Sequence, residues 1–129
     1  KNVTIKLGSI ENIEFKVSED DIIQLVQNLI KNAVDYNKVG GEVIVGLIKI
    51  ERKIVLSVKD TGIGIPTESQ PYIFDRFYKV DSARKCESQT GTGLGLAIVK
   101  DIVDKYNGQI EVESEVGIGT TIKVFLPVI

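Results

Sequence analysis

Apolar residues recur along this chain with two different periods, and the order in which those periods alternate limits the fold more than any average property does. At Ile22, Leu25, Val26, Leu29, Ile30 and Ala33, and again at Leu96, Val99, Ile102, Val103 and Tyr106, they lie on one stripe of a helix. Val3–Leu7, Ile13–Val17, Val43–Ile50, Ile54–Lys59, Gln109–Glu115 and Thr120–Leu126 instead alternate or are β-rich, and read as strands. Elements with one apolar side each must bury those sides against one another. The order β-β-α-β-β-lid-α-β-β therefore predicts an α+β domain with its helices on one face of a mixed sheet. With 129 residues, one domain spanning 1–129 is expected.

Local signals set the boundaries. Gly8-Ser9 separates the first two strands as a turn. Ser18 offers an N-cap with Asp21 three residues on, a variant of the capping box, and the helix should end near Tyr36, before Gly40-Gly41. Glu51-Arg52-Lys53 joins two strands as a hairpin, and Asn107-Gly108 stops the second helix. Between Thr67 and Thr90 no period is sustained beyond a short helix around Tyr72–Phe77, and unpatterned stretches of that length are lids or disordered. With few apolar anchors beyond Tyr72, Ile73, Phe74, Phe77 and Tyr78, this segment should open easily.

Composition excludes several functions. There is no histidine, which removes Ser-His-Asp hydrolysis and most zinc chemistry, and the single cysteine, Cys86, permits no internal disulfide. Sixteen basic and eighteen acidic residues leave a net charge of -2, so no overall field recruits nucleic acid or an anionic membrane. No apolar run approaches the ~20 residues of a membrane helix. A cytoplasmic setting is the expectation.

Three local patterns are chemically suggestive. Asn28, Asn32 and Asp35 share one helix stripe at i, i+4 and i+7, either as a solvated face or because an amide oxygen can bind magnesium when phosphates supply the negative charge. Asp60 ends a strand just before Gly62 and Gly64, whose missing side chains would let a flat ring approach; its carboxylate suits an exocyclic amine, although a plain turn would look the same. Gly91-Thr92-Gly93-Leu94-Gly95 opens a helix whose exposed amides could hold phosphate. The segment is not a P-loop, for G-x-x-x-x-G-K-[ST] is absent, and the glycines do not follow a strand as a dinucleotide fold requires.

Taken in order, these patterns resemble the histidine-kinase branch of the ATPase superfamily that includes gyrase, MutL and an ATP-driven heat-shock chaperone. Gln27-Asn28-Leu29-Ile30-Lys31-Asn32-Ala33 resembles the N box, Asp60-Thr61-Gly62-Ile63-Gly64 the first glycine box, Ile73-Phe74-Asp75-Arg76-Phe77-Tyr78-Lys79-Val80-Asp81 the F box, and Gly91–Leu96 the second glycine box. The resemblance implies a two-layer α/β sandwich of Bergerat type with ATP under a lid at about residues 61–92. It implies that Asn32 holds magnesium with Asn28 assisting, that Asp60 reads the adenine amine, and that Tyr36, Ile65 and Tyr78 lie near the nucleotide. Gly62 and Gly64 would give the base room, Gly91, Thr92, Gly93, Leu94, Gly95 and Leu96 would wrap the phosphates, and Thr120 or Thr121 would support the adenine pocket. Lys79 or Arg76 could neutralise the γ-phosphate during transfer or only anchor the F box, and Phe74 and Phe77 could dock the lid or pack locally. Asp35 departs from the pattern, because these kinases usually carry a basic residue there; Lys38 could compensate.

The function implied is transfer of the γ-phosphate to a histidine on a separate dimerisation domain, then to a response-regulator aspartate. The full protein would be a homodimer, attached to a membrane only through parts outside this chain. An anti-sigma-type serine kinase and a degenerate module without phosphoryl transfer are the alternatives.

Overall fold

In the computed structural model, residues 3–10, 18–75 and 95–127 are described. Strand β1 (Thr4–Ile10) is followed by helix α1 (Glu19–Asp35), the hairpin of β2 (Glu42–Ile50) and β3 (Lys53–Asp60), a 3-10 turn at Gln70–Tyr72, helix α2 (Gly95–Lys105), and the hairpin of β4 (Gln109–Glu115) and β5 (Gly119–Pro127). The sheet order is β1-β2-β3-β5-β4, with β1 parallel to β2 and the other pairs antiparallel. The mixed sheet and its two helices form the expected two-layer α+β sandwich.

Register explains the core. Residues directly opposite each other share a face, so Val45, Val58, Ile122 and Val112 form one row across four strands, and Leu47, Leu56, Val124 and Ile110 the next. Leu25, Leu29 and Ala33 of α1 and Val99, Ile102 and Val103 of α2 bury their stripes against these rows. The two-residue connection between β2 and β3 puts Glu51 at a φ of 55°, as the right-handed strand twist demands of the first loop residue. Among the described strands β4 lies at the end of the sheet, and its solvent-facing row is Gln109, Glu111, Glu113 and Glu115, all exposed.

Several boundaries differ from the sequence reading. Gly8-Ser9 is not a turn: β1 runs through it to Ile10, and the irregularity appears instead as a register shift between Leu7 and Ile10. The expected strand at Ile13–Val17 lies outside the described residues. The short helix expected at Tyr72–Phe77 is instead a single 3-10 turn at Gln70–Tyr72, because Pro71 fits a first helical turn and the following amides bond only locally. Phe77 lies outside the described residues.

Ser18 is the N-cap residue of α1, but no capping box forms. Its backbone amide donates to the Tyr106 hydroxyl at 3.0 Å, and that hydroxyl donates to Asp21, which also accepts from Lys105 Nζ at 2.7 Å. Asp21 is thus drawn away from its own helix amides by stronger charge-assisted donors on α2. Lys105 and Tyr106 can reach it because α2 ends in a Schellman motif: Gly108 N–H donates to the Val103 carbonyl at 2.8 Å, Asn107 N–H to the Asp104 carbonyl at 3.1 Å, and Asn107 takes a φ of 58°. The hydrogen bonds from Lys105 and then Tyr106 hold the Asp21 carboxyl below its ordinary 3.8.

Tyr106→Phe should therefore lower stability by about 1 kcal/mol in urea unfolding at neutral pH, since one amide loses its acceptor and one carboxylate a donor. A depressed carboxyl stabilises the fold above its unfolded pKa and loses that contribution as pH falls through the folded value. The gap between wild type and variant should accordingly narrow below pH 3.8.

Candidate functional site

The helix-facing row of the sheet nearest the end of β3 is not apolar. Val43, Asp60, Thr120 and Ser114 stand opposite one another there, and Asp60 is only 8 % exposed. A carboxylate on an apolar face must find donors or be neutralised. Asp60 Oδ1 accepts from Gly62 N–H at 2.9 Å and from Thr120 N–H at 3.1 Å. Oδ2 accepts no hydrogen bond among the described residues. Burial pushes the carboxyl above its ordinary 3.8, outweighing the two amides that pull it down.

The loop that follows is held on both sides. Tyr36, the C-cap of α1, accepts from Ile63 N–H at 3.1 Å, and the Ile63 carbonyl accepts from Gly117 N–H at 2.9 Å. Ile65 N–H donates to Ser114 Oγ at 2.7 Å, while Gln70 Nε2 donates to the Ile65 carbonyl at 3.1 Å. The fold itself makes a demand on the two glycines. A Cβ at Gly62 would fall onto the Tyr36 carbonyl oxygen and one at Gly64 onto that of Glu115, with Gly64 also at a φ of +76°. The missing side chains make room for the chain's own backbone. Of the segment 67–90, residues 67–75 are described: Gln70 ties them to Ile65, and of the expected apolar anchors Ile73 is buried, Phe74 half-buried and Tyr72 exposed.

A second network pins the neighbouring turn. Asn37, 2 % exposed, donates from Nδ2 to the Glu42 carbonyl at 2.9 Å and accepts at Oδ1 from Lys38 N–H at 2.8 Å and Thr61 Oγ1 at 3.2 Å. Thr61 Oγ1 in turn accepts from Glu42 N–H at 2.9 Å. Sequence reasoning missed Asn37, Gln70 and Ser114. An Asn three residues ahead of a glycine pair is a usable turn signal. A serine in a half-buried strand carries none.

On α1, Asn28 Nδ2 donates to the Gln24 carbonyl at 2.8 Å, and its Oδ1 lies 3.3 Å from where a Cβ of Gly95 would stand. Its amide oxygen thus faces the first residue of α2. Asn32 is half-buried one turn on. Asp35 accepts from Lys31 Nζ at 2.8 Å and keeps only 18 % of its side chain exposed, so the acid in place of the usual base stands in a charge pair. Leu96 is half-buried on α2, and Thr121, next to Thr120, alternates to the opposite face beside Lys59. Arg76, Phe77, Tyr78, Lys79, Gly91, Thr92, Gly93 and Leu94 lie outside the described residues. Among the described residues no cluster of acids is arranged to hold a metal by itself, and no helix is long and apolar enough to cross a membrane.

Helices lie over one face of a mixed sheet, with an acceptor-bearing carboxylate at the sheet's end and the start of a helix facing the Asn28 amide oxygen: the class is an α/β sandwich. Residues 17–129 match the family described as histidine kinase-, DNA gyrase B- and HSP90-like ATPase, and the chain belongs to that family. Sensor protein SrrB of Staphylococcus aureus (strain NCTC 8325 / PS 47) is 47% identical over 108 residues, which are 84% of this chain and 18% of that protein. The chain thus spans less than a fifth of the curated relatives it matches. The mycobacterial sensor histidine kinase MprB superposes with a TM-score of 0.86 at 30% identity, covering 98% of this chain and 84% of the other. The catalytic domain of histidine kinase ThkA gives 0.79 at 26% identity, over 98% and 79% of the two chains. Full-length ShkA in complex with AMPPNP also gives 0.79 at 26%, over 98% of this chain and 26% of that one. The domain is homologous to the ATPase domains of sensor histidine kinases, ATP-dependent enzymes of two-component systems.

Because Asp60→Asn keeps an oxygen for both amides and removes a buried charge, the free domain should retain its stability at pH 7 to within about 1 kcal/mol. A raised carboxyl costs stability above its folded pKa, and that cost vanishes as pH falls toward the unfolded value. Thermal melts should therefore show wild type gaining on Asp60→Asn as pH falls from neutral toward 3.8.

Proposed function

We propose that this domain binds Mg-ATP with its adenine against Asp60 and delivers the γ-phosphate to a histidine on the dimerisation domain of the same kinase. The observation that carries this reading is the Asp60 carboxylate: it is buried, anchored through one oxygen, and without a hydrogen bond at the other among the described residues. Such an acceptor is costly unless a ligand donates to it, and the adenine amine does so where a guanine carbonyl cannot.

The other residues fit the same ligand. The Asn28 amide oxygen and the half-buried Asn32 lie on the α1 face toward the start of α2, whose amides favour an anion. Asn32 would hold magnesium with Asn28 beside it, neutral oxygens sufficing where phosphates bring the charge. Gly91, Thr92, Gly93, Leu94, Gly95 and Leu96 would enclose the phosphates under a lid at about 61–92, with Tyr36, Ile65 and Tyr78 beside the nucleotide. Bound Mg-ATP supplies the phosphoryl group, and the work left to the protein is positioning and charge stabilisation. Lys79 and Arg76 are the cations available for the latter. Asp35, paired with Lys31, would weaken the positive field that a basic residue gives at that place.

The chain contains no histidine, so the acceptor must lie elsewhere; a response regulator would then take the phosphate onto an aspartate. In this reading the full protein is a homodimer acting in the cytoplasm and meets a membrane only through other segments. That related proteins are sensor kinases, and that ShkA was solved with AMPPNP, supports it.

Calorimetry should show ATP binding at least tenfold tighter than GTP, with Asp60→Asn losing ATP affinity by a similar factor while still folded. Equal affinities for ATP and GTP would remove Asp60 from the base site. With a matching histidine-bearing bundle added, the domain should form acid-labile phosphohistidine. Acid-stable phosphoserine on an added partner would point to the serine-kinase alternative instead.

A further inference from the structure

Ser114 is bonded in a way that the adenine reading does not require and that hydrogen counting makes informative. A hydroxyl has one hydrogen to give and two lone pairs. Ile65 N–H, which can only donate, occupies one lone pair of Ser114 Oγ at 2.7 Å. The Gly119 carbonyl, which can only accept, takes the hydrogen at 3.1 Å. Thr120 Oγ1 lies 2.7 Å away, and either oxygen could be the donor in that contact taken alone. Assigning the Ser114 hydrogen to the Gly119 carbonyl leaves Thr120 as the donor, with its hydrogen pointing back into the sheet.

We infer that Ser114 is a positioning residue that sets the hydrogen-bond polarity of the base-reading end of the pocket, by consuming the hydroxyl hydrogen of Thr120. Asp60 and Thr120 are directly opposite in the β3–β5 ladder, and both are buried. With Thr120 donating to Ser114, the threonine oxygen and Asp60 Oδ2 offer acceptors alone. Such a wall accepts from an exocyclic amine, directly or through a water, and opposes a ring carbonyl. Without Ser114 the Thr120 hydroxyl is free to turn and donate, so the wall becomes mixed and a carbonyl-bearing base meets a partner. The role rests on the adenine reading proposed above and adds to it a residue that need not touch the nucleotide.

Ser114 also holds Ile65, so a loss of affinity alone would not separate polarity from mere anchoring. Gln70 separates them, because it grips the same residue through the Ile65 carbonyl at 3.1 Å, reaches Ser114 only at its backbone carbonyl at 3.5 Å, and takes no part in the hydroxyl chain. Calorimetric titration of Mg-ATP and Mg-GTP into wild type, Ser114→Ala, Ser114→Thr and Gln70→Ala is the test. Ser114→Ala should cut the preference for ATP over GTP by about fivefold or more, and Ser114→Thr, which keeps the hydroxyl, should restore it. Gln70→Ala should weaken both nucleotides alike and leave the preference unchanged. Should Ser114→Ala not fold, Ser114→Cys, with its weak donor and acceptor, should show the same narrowing to a lesser degree. An unchanged preference in Ser114→Ala, or equal narrowing in Gln70→Ala, overturns the inference. A wild type that prefers ATP leaves the adenine reading standing in that event, whereas one that binds neither nucleotide sinks both.

Discussion

A single buried acceptor organises one end of this domain. The row that contains Asp60 would close the core with aliphatic side chains if it followed its neighbours, which carry Val58, Ile122 and Val112. A carboxylate there needs donors, and the donors come from backbone that has to be brought to it. Gly62 must turn back toward Oδ1, which presses its Cα against the Tyr36 carbonyl. Thr120 must present its amide, which requires β5 to begin at Gly119 beside Asp60. The turn after α1, the loop after β3 and the β4–β5 hairpin thus converge on one group.

That convergence gives the region two layers of restraint. Among the described residues Oδ1 has two donors and Oδ2 none, so one half of the same carboxylate anchors the fold and the other half is left to a further donor. The Asn37 and Ser114 networks then fix the flanks, one tying the end of α1 to the start of β2, the other tying the loop to β4. Polar networks of this kind are worth having only when their members are satisfied, and here the hydroxyls of Thr61 and Ser114 each serve several partners.

Much of the fold was legible because period and burial coincide. The helical stripes and the alternating runs pointed to the same two layers, and Asp60 stood out as a charge where a strand should end. Other features escaped for identifiable reasons. Asp21 looked like a capping residue because local geometry allows it, but donors on α2, more than eighty positions later, win the competition. Gly8-Ser9 looked like a turn because those residues favour turns, yet pairing with β2 keeps the strand running. Gly62 and Gly64 were picked out correctly as positions that exclude a side chain, while the neighbour doing the excluding could be known only from the fold. Ser114 is an ordinary strand residue until its register partner is known.

The acidic row on β4 has a consequence of its own. β4 is the last of the described strands, and a terminal strand offers unpaired backbone groups to any other extended chain. Glu111, Glu113 and Glu115 are exposed along it, and Lys123, 3.7 Å from Glu113, stands against them across the ladder. A second copy approaching this border in register would bring carboxylates onto carboxylates. If the full-length protein is a dimer, as the reading above has it, two of these domains are held at high local concentration. Like charge along the border then opposes their joining into one continuous sheet.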